Sequence, residues 1–179
     1  MITILADDSL GQIGLALYET LRGQAVQAEY IDLADVAVKP CVNCGSCNNK
    51  TYGRCAVRDD ADILLPRMAA AEALVVVTPV LFGGYSVRVK RLLDKLGLIM
   101  DKHYYLHRGE LAKGGLPGRR FHYRVLGVLQ TPDAAEAEAF CALVGETVRI
   151  TRGRGGADTG GPTAEGWPLR RIAEEVTRA

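Results

Sequence analysis

Short continuous apolar runs alternate along the chain with segments in which apolar residues recur every three or four positions. Residues 2–5 (ITIL) read as a short buried strand, and residues 11–22 then place Ile13, Ala16, Leu17 and Leu21 on one helical face. Val26, Ala28 and Tyr30 alternate with Gln27 and Glu29, which predicts a second strand ending near Leu33. The run ALVVVT at 73–78 is what a central parallel strand covered on both faces requires. Val89, Leu92, Leu93 and Leu96 stand at i, i+3, i+4 and i+7 and predict a helix over 87–96, with Ser86 as its cap. Residues 123–129 predict a fourth strand and 134–144 a fourth helix, while Asp59-Asp60 marks the start of a helix that Pro66 kinks or divides. Strands alternating with helices define a doubly wound α/β sheet.

Two stretches interrupt this rhythm. Residues 101–124 carry Lys102, Arg108, Lys113, Arg119, Arg120 and Arg124 against Asp101 and Glu110, a basic excursion that reads equally as a solvated loop or as a phosphate or partner contact. Residues 153–161 (GRGGADTGG) are expected to be flexible, and 164–178 closes the chain as a helix with Trp167 near its start. A fifth strand is hard to place, with 147–151 its weak candidate. The 179 residues are expected to form a single domain, with residues 39–58, 101–124 and 153–179 as its distinctive segments.

Charge narrows the function. Lys and Arg number 22 against 21 Asp and Glu, a balance that removes the general electrostatic argument for nucleic-acid or membrane-surface binding. No apolar run reaches the roughly 18 residues of a membrane helix, and the first residues lack a secretory leader's basic and apolar regions. A soluble, cytoplasmic protein is expected.

The chemistry concentrates in the cysteines. Four of five fall in a fifteen-residue window, Cys41, Cys44, Cys47 and Cys55, spaced C-x2-C-x2-C-x7-C. The fifth, Cys141, lies in an apolar stretch and reads as a small buried hydrophobe. Reduced thiols crowded this closely point to metal. Structural zinc ordinarily uses two separated C-x2-C knuckles, whereas three cysteines at two-residue gaps plus a distant fourth resemble the run that wraps a [4Fe–4S] cubane. Lys39, Lys50, Arg54 and Arg58 bracket the window and suit the net negative charge of such a cluster, and Gly45 and Gly53 let the backbone approach the sulfurs. Zinc and free or paired thiols remain the alternatives. His103, His107 and His122 lie in or beside the basic excursion and read as surface residues.

Open α/β sheets bind ligands beyond the carboxyl ends of their strands, so the loop after the central strand is the second candidate site. It reads Thr78, Pro79, Val80, Leu81, Phe82, Gly83, Gly84, Tyr85, Ser86; Pro79 stops the strand, the glycines allow close backbone approach, and Phe82 or Tyr85 could lie against a planar ring. No G-x-G-x-x-G follows a strand, which argues against a separate dinucleotide domain.

Taken together, the stretch from Asp32 to Leu96 resembles the iron–sulfur flavoproteins, a branch of the flavodoxin-like NADPH-dependent FMN reductases. The resemblance rests on Asp32-Leu33-Ala34-Asp35, Lys39-Pro40 before the compact cysteine motif, Asp59-Asp60, the T-P-V-L-F-G-G of 78–84, and the helix carrying Lys90 and Asp94. It implies a flavodoxin-like sheet with a cysteine-rich loop after the second strand. It also implies a [4Fe–4S] cluster on the four cysteines and FMN against Thr78, Pro79, Val80, Leu81, Phe82 and Gly83. Oligomers, dimers or tetramers, are implied too, in which a cluster can face a neighbouring subunit's flavin. The family's first loop is rich in hydroxyls and N–H groups that hold the FMN phosphate. Here that loop is Ala6-Asp7-Asp8-Ser9-Leu10-Gly11-Gln12, so Ser9 and Gln12 are the available side-chain donors and two carboxylates would repel a dianion. Asp8 or Ser9 reads equally as the cap of the first helix. Leu81 stands where the family carries an aromatic residue, and Lys90 with Asp94 reads as a surface i, i+4 pair.

The resulting expectation is an oxidoreductase that passes electrons between the cluster and FMN, with NAD(P)H or a small ferredoxin-like carrier as partner. A nicotinamide would have to dock directly on the flavin face. The alternative is a flavin-free metal-binding module on the same scaffold, either a cubane electron carrier or a zinc-stabilised interaction domain. No side chain stands out as a catalytic acid or base.

Overall fold

A five-stranded parallel sheet in the order β2-β1-β3-β6-β7 organises the computed structural model, which describes residues 1–7, 12–107, 109–118, 120 and 122–178. Its strands are β1 (Ile2–Ala6), β2 (Ala28–Asp32), β3 (Ala73–Pro79), β6 (His122–Val128) and β7 (Arg154–Gly160). β1 and β3 are buried along their whole length, as the unbroken apolar runs require. Successive residues of β3 point to opposite faces, so two cores form. Leu74 and Val76 pack with Leu64, Met68, Leu92, Phe140 and Val144 of helices α3 (Ala61–Ala70), α4 (Val87–Leu93) and α5 (Ala134–Ile150). Val75 and Val77 pack with Leu17, Leu21, Ile172 and Val176 of α1 (Ile13–Gly23) and α6 (Leu169–Thr177). Among the described residues, no helix is long and apolar enough to cross a membrane.

Several local expectations are corrected. The fifth strand is β7, formed by the glycine-rich stretch expected to be flexible, and 147–151 belongs to the end of α5 and its cap. Those β-branched residues stay helical because Val148 extends the strip begun by Phe140 and Val144 against the core. β7 needs its glycines for packing: a Cβ at Gly155 (φ +123) would stand 2.0 Å from the Tyr123 carbonyl oxygen. Arg124 of β6 ties the edge down by pairing with Asp158 of β7 and, at 3.2 Å, with Glu175 of α6. Cys141 is exposed rather than buried, because the inward strip of α5 passes through Phe140 and Val144 instead. The 87–96 helix is α4 followed by a 3-10 turn at Leu96–Leu98, and α3 runs through Pro66 as one helix. The basic excursion contains an antiparallel hairpin, β4 (Tyr104–His107) with β5 (Glu110–Lys113).

His122 is half-buried in β6, not a surface residue, and its Nδ1 has no partner among the described residues. Burial, then the charges of Arg154 and Arg124, hold its imidazolium below the ordinary value. The unfolded chain therefore takes the proton more readily. The contribution of neutral His122 to stability is complete above about pH 6.5 and declines as the pH falls below it. His122→Gln is expected to flatten the urea midpoint between about pH 7 and pH 5 relative to wild type.

Candidate cofactor site

The strand order reverses between β1 and β3, which places the ligand crevice over Asp7 and the 78–83 loop. Thr78, Pro79 and Val80 are buried and build the base of the loop. The Thr78 hydroxyl donates to the Pro79 carbonyl and accepts the Ser86 N–H, fixing the start of α4, where Ser86 Oγ accepts the Val89 N–H. Leu81 and Gly84 exchange N–H···O bonds of 3.0 and 2.9 Å around a two-residue turn. Both central residues have positive φ, Phe82 at 52° and Gly83 at 70°. Phe82 thus pays a conformational penalty that tight hairpin turns usually avoid with glycine or asparagine, and its ring projects fully into solvent.

Most of the loop's N–H donors are already committed: Val80 to the Val128 carbonyl, Leu81 to that of Gly84, and Gly83 to Glu136 Oε1. Among the described residues, the Phe82 N–H has no partner. Tyr85 does not present its ring to the crevice; it packs edge-on against Phe140 at 5.3 Å between centroids and meets the Tyr123 hydroxyl. Of the two aromatics, Phe82 is the one whose ring is exposed. Opposite the turn, Gln130, Thr131, Asp133 and Glu136 complete a cavity of about 530 Å³. Sequence reading missed this second wall, although Asp133 and Glu136 form a recognisable helix start: Asp133 accepts the Glu136 N–H, and Glu136 reaches back to Gly83.

On the β1 side, Asp7 is buried and pairs with Arg88 of α4 at 2.9 Å, so its charge is not bare. Gln12 is exposed, caps α1 in the left-handed region and makes no side-chain cap bond. Ser9 and Asp8 lie outside the described residues, and so do both as expected caps. Lys90 and Asp94 form the surface pair expected of them.

The cysteine segment leaves the sheet after β2 and carries one short helix, α2 (Ser46–Asn49). Its neck is clamped. Asp59 accepts the Lys39 N–H at 2.8 Å and the Ala61 N–H at 3.0 Å, and Asp60 accepts the Ala37 N–H at 2.7 Å. Asp59 also pairs with Lys95, both side chains almost wholly buried at 2% and 1% exposure. Burial pushes the Asp59 carboxyl up, but the bonds from Lys95 and the two N–H groups outweigh it and hold the group below its ordinary value. The Asp59-Asp60 pair is therefore a clasp as well as a helix start.

Above the neck, Cys41 and Cys44 are exposed, Cys47 and Cys55 are half-buried, and all four are free thiols. Asn43, Gly45 and Gly53 adopt positive φ and turn the backbone sharply between them. The Ser46 hydroxyl, 3.5 Å from Cys44 Sγ, and the Ser46 N–H lower that thiol from its ordinary value. Four free sulfurs on one clamped loop are a donor set suited to iron or zinc. Among the described residues, however, no three His, Cys, Asp or Glu side chains converge on a single point, so the sulfurs must draw together to enclose a metal.

A five-stranded parallel sheet in the order β2-β1-β3-β6-β7, with helices on both faces, is the flavodoxin-like arrangement. The chain belongs to the NADPH-dependent FMN reductase family, whose profile matches residues 8–137. It is 38% identical over 88 residues to an iron-sulfur flavoprotein of Methanocaldococcus jannaschii, covering 48% of this chain and 45% of that protein. It is 31% identical over 94 residues to an iron-sulfur flavoprotein of Methanosarcina thermophila, covering 52% and 48%. The chain thus spans about half the length of these relatives. Among solved structures, its fold is similar to the NAD(P)H:quinone oxidoreductase of Methanothermobacter marburgensis (TM-score 0.65, 15% identity, 99% and 95% covered). It is likewise similar to an FMN-dependent NADH-azoreductase of Bacillus anthracis solved with FMN (TM-score 0.64, 14% identity, 99% and 97% covered).

Proposed function

We propose that this chain is an electron-transfer flavoprotein in which Cys41, Cys44, Cys47 and Cys55 hold a [4Fe–4S] cluster and the crevice at the carboxyl ends of β1, β3 and β6 holds FMN. The observation that carries the reading is the presence, in one chain, of a clasped loop of four free thiols and a cavity of about 530 Å³ beside the 78–83 turn. Such a cluster exchanges single electrons and FMN one or two, so together they link one-electron carriers to two-electron donors. The chain's own residues do the positioning. Phe82 offers a ring face and a backbone N–H, while Leu81 and Gly83 hold that turn in place. Ser9 and Gln12 are the side-chain donors available to the phosphate end. The Asp59 clasp keeps the cysteine loop against α4. NAD(P)H or a ferredoxin-like carrier is the proposed partner, and assembly into a homo-oligomer would bring the exposed cysteine loop to a neighbouring crevice.

Iron, acid-labile sulfide, zinc and flavin measured on one preparation purified without oxygen test this reading. It expects about four iron and four sulfide per chain together with bound FMN. Iron and sulfide without flavin would instead select the cubane carrier, and stoichiometric zinc the interaction module.

A further inference from the structure

We infer that Arg88 is a specificity-determining residue for the phosphate of FMN. It neutralises Asp7, so that a dianionic ligand can occupy a sheet edge that would otherwise repel it. The inference rests on the flavoprotein reading above and extends it to a residue that neither the cysteine motif nor the 78–84 motif singles out.

Asp7 is the first residue beyond β1, and its N–H donates to the Val77 carbonyl at 2.9 Å, which fixes it against the end of β3. Its side chain is only 7% exposed, so it lies at the switch point with little water to screen it. A carboxylate there opposes any phosphate brought to the crevice. Arg88 enters α4 directly after the 78–86 loop, and the bonds between Thr78, Ser86 and Val89 fix that entry. One guanidinium nitrogen, Nη1, bonds Asp7 Oδ1 at 2.9 Å. The side chain is half-exposed, and the guanidinium makes no other bond among the described residues, so it keeps donors for an incoming anion. The adjoining cleft of about 240 Å³ has Lys39 and Arg91 as its other charged lining residues and no carboxylate among them. With Arg88 present the Asp7 charge is neutralised, and Lys39 and Arg91 add positive charge to the adjoining cleft. Without it, a buried and uncompensated negative charge faces the ligand.

The test uses the full-length chain freed of flavin and titrated with FMN and with riboflavin, which lacks the phosphate, by flavin fluorescence quenching. Arg88→Gln is expected to weaken FMN binding on the order of tenfold, with a penalty that shrinks as salt is added, while riboflavin binding changes less than about twofold. Asp7→Asn in the Arg88→Gln background is expected to recover most of the lost FMN affinity, and Arg88→Lys to retain it within a few-fold. The inference is overturned if Arg88→Gln binds FMN as tightly as wild type. Equal loss of both flavins overturns it too, because that marks a structural role. Wild-type protein that binds neither flavin overturns the flavoprotein reading itself, and this inference with it.

Discussion

Lys95→Met is expected to destabilise the fold by about 3–5 kcal/mol, the range for removing one partner of a buried ion pair. The loss has a specific seat. Lys95 and Asp59 are buried together where α4 ends and the cysteine loop returns to the sheet, and Asp59 also holds the N–H groups of Lys39 and Ala61. Methionine leaves the carboxylate buried with two backbone donors and no cation, so the neck opens as well as the core weakening. Denaturant unfolding measures the first effect, and limited proteolysis within residues 40–58 measures the second. Asp59→Asn combined with Lys95→Met should recover much of the stability, because no lone charge then remains. The acid limb gives an independent check. The Asp59 carboxyl is held below its ordinary value, so its contribution is present above about pH 3.9 and is lost as the pH falls through the folded-state value. Asp59→Asn should lack that part of the acid dependence. A Lys95→Met variant within about 1 kcal/mol of wild type would show that the clasp does not hold the loop.

Cys44→Ser is expected to abolish iron binding while leaving FMN bound. Cys44 sits at the exposed tip of the loop, and its thiol is already lowered by Ser46, which favours the thiolate a metal requires. The cavity beside the 78–83 turn is built from the loops after β3 and β6 and the start of α5, and none of the four cysteines lines it. Iron and flavin assayed on the same anoxic sample should therefore separate cleanly. Joint loss of both cofactors would mean that the cysteine loop is needed for the fold rather than for the cluster alone.

What could be read in advance follows from how local each signal is. The parallel sheet was legible because β1 and β3 are continuous apolar runs and because the helical strips of α1 and α4 repeat at 3.6-residue spacing. β7 was hidden: an edge strand that fits under the Tyr123 carbonyl through Gly155 has the composition of a flexible linker. The hairpin at 104–113 was likewise masked by its basic charge. At the candidate site, the motif residues were legible but their partners were not. Asp59 finds Lys95 at a sequence separation of 36, Asp7 finds Arg88 at 81, and Gly83 finds Glu136 at 53. Such pairs are set by topology, and no window of sequence contains both members. The repulsion expected of the first loop was overstated for this reason, since Asp7 read in isolation is a bare carboxylate whereas folded it is half of an ion pair. The commitment of most 78–83 loop N–H groups to acceptors within the chain was hidden for the same reason, since those acceptors include Val128 and Glu136.

The central claim, one redox unit made of a sulfur-bound cluster and a flavin, is tested most directly by counting electrons. Anoxically purified protein titrated with a calibrated reductant should take up about three equivalents per chain, one for the cluster and two for FMN, and Cys44→Ser should take up about two. An uptake of two by wild type, unchanged by Cys44→Ser, would leave a flavoprotein without a working cluster and contradict the account.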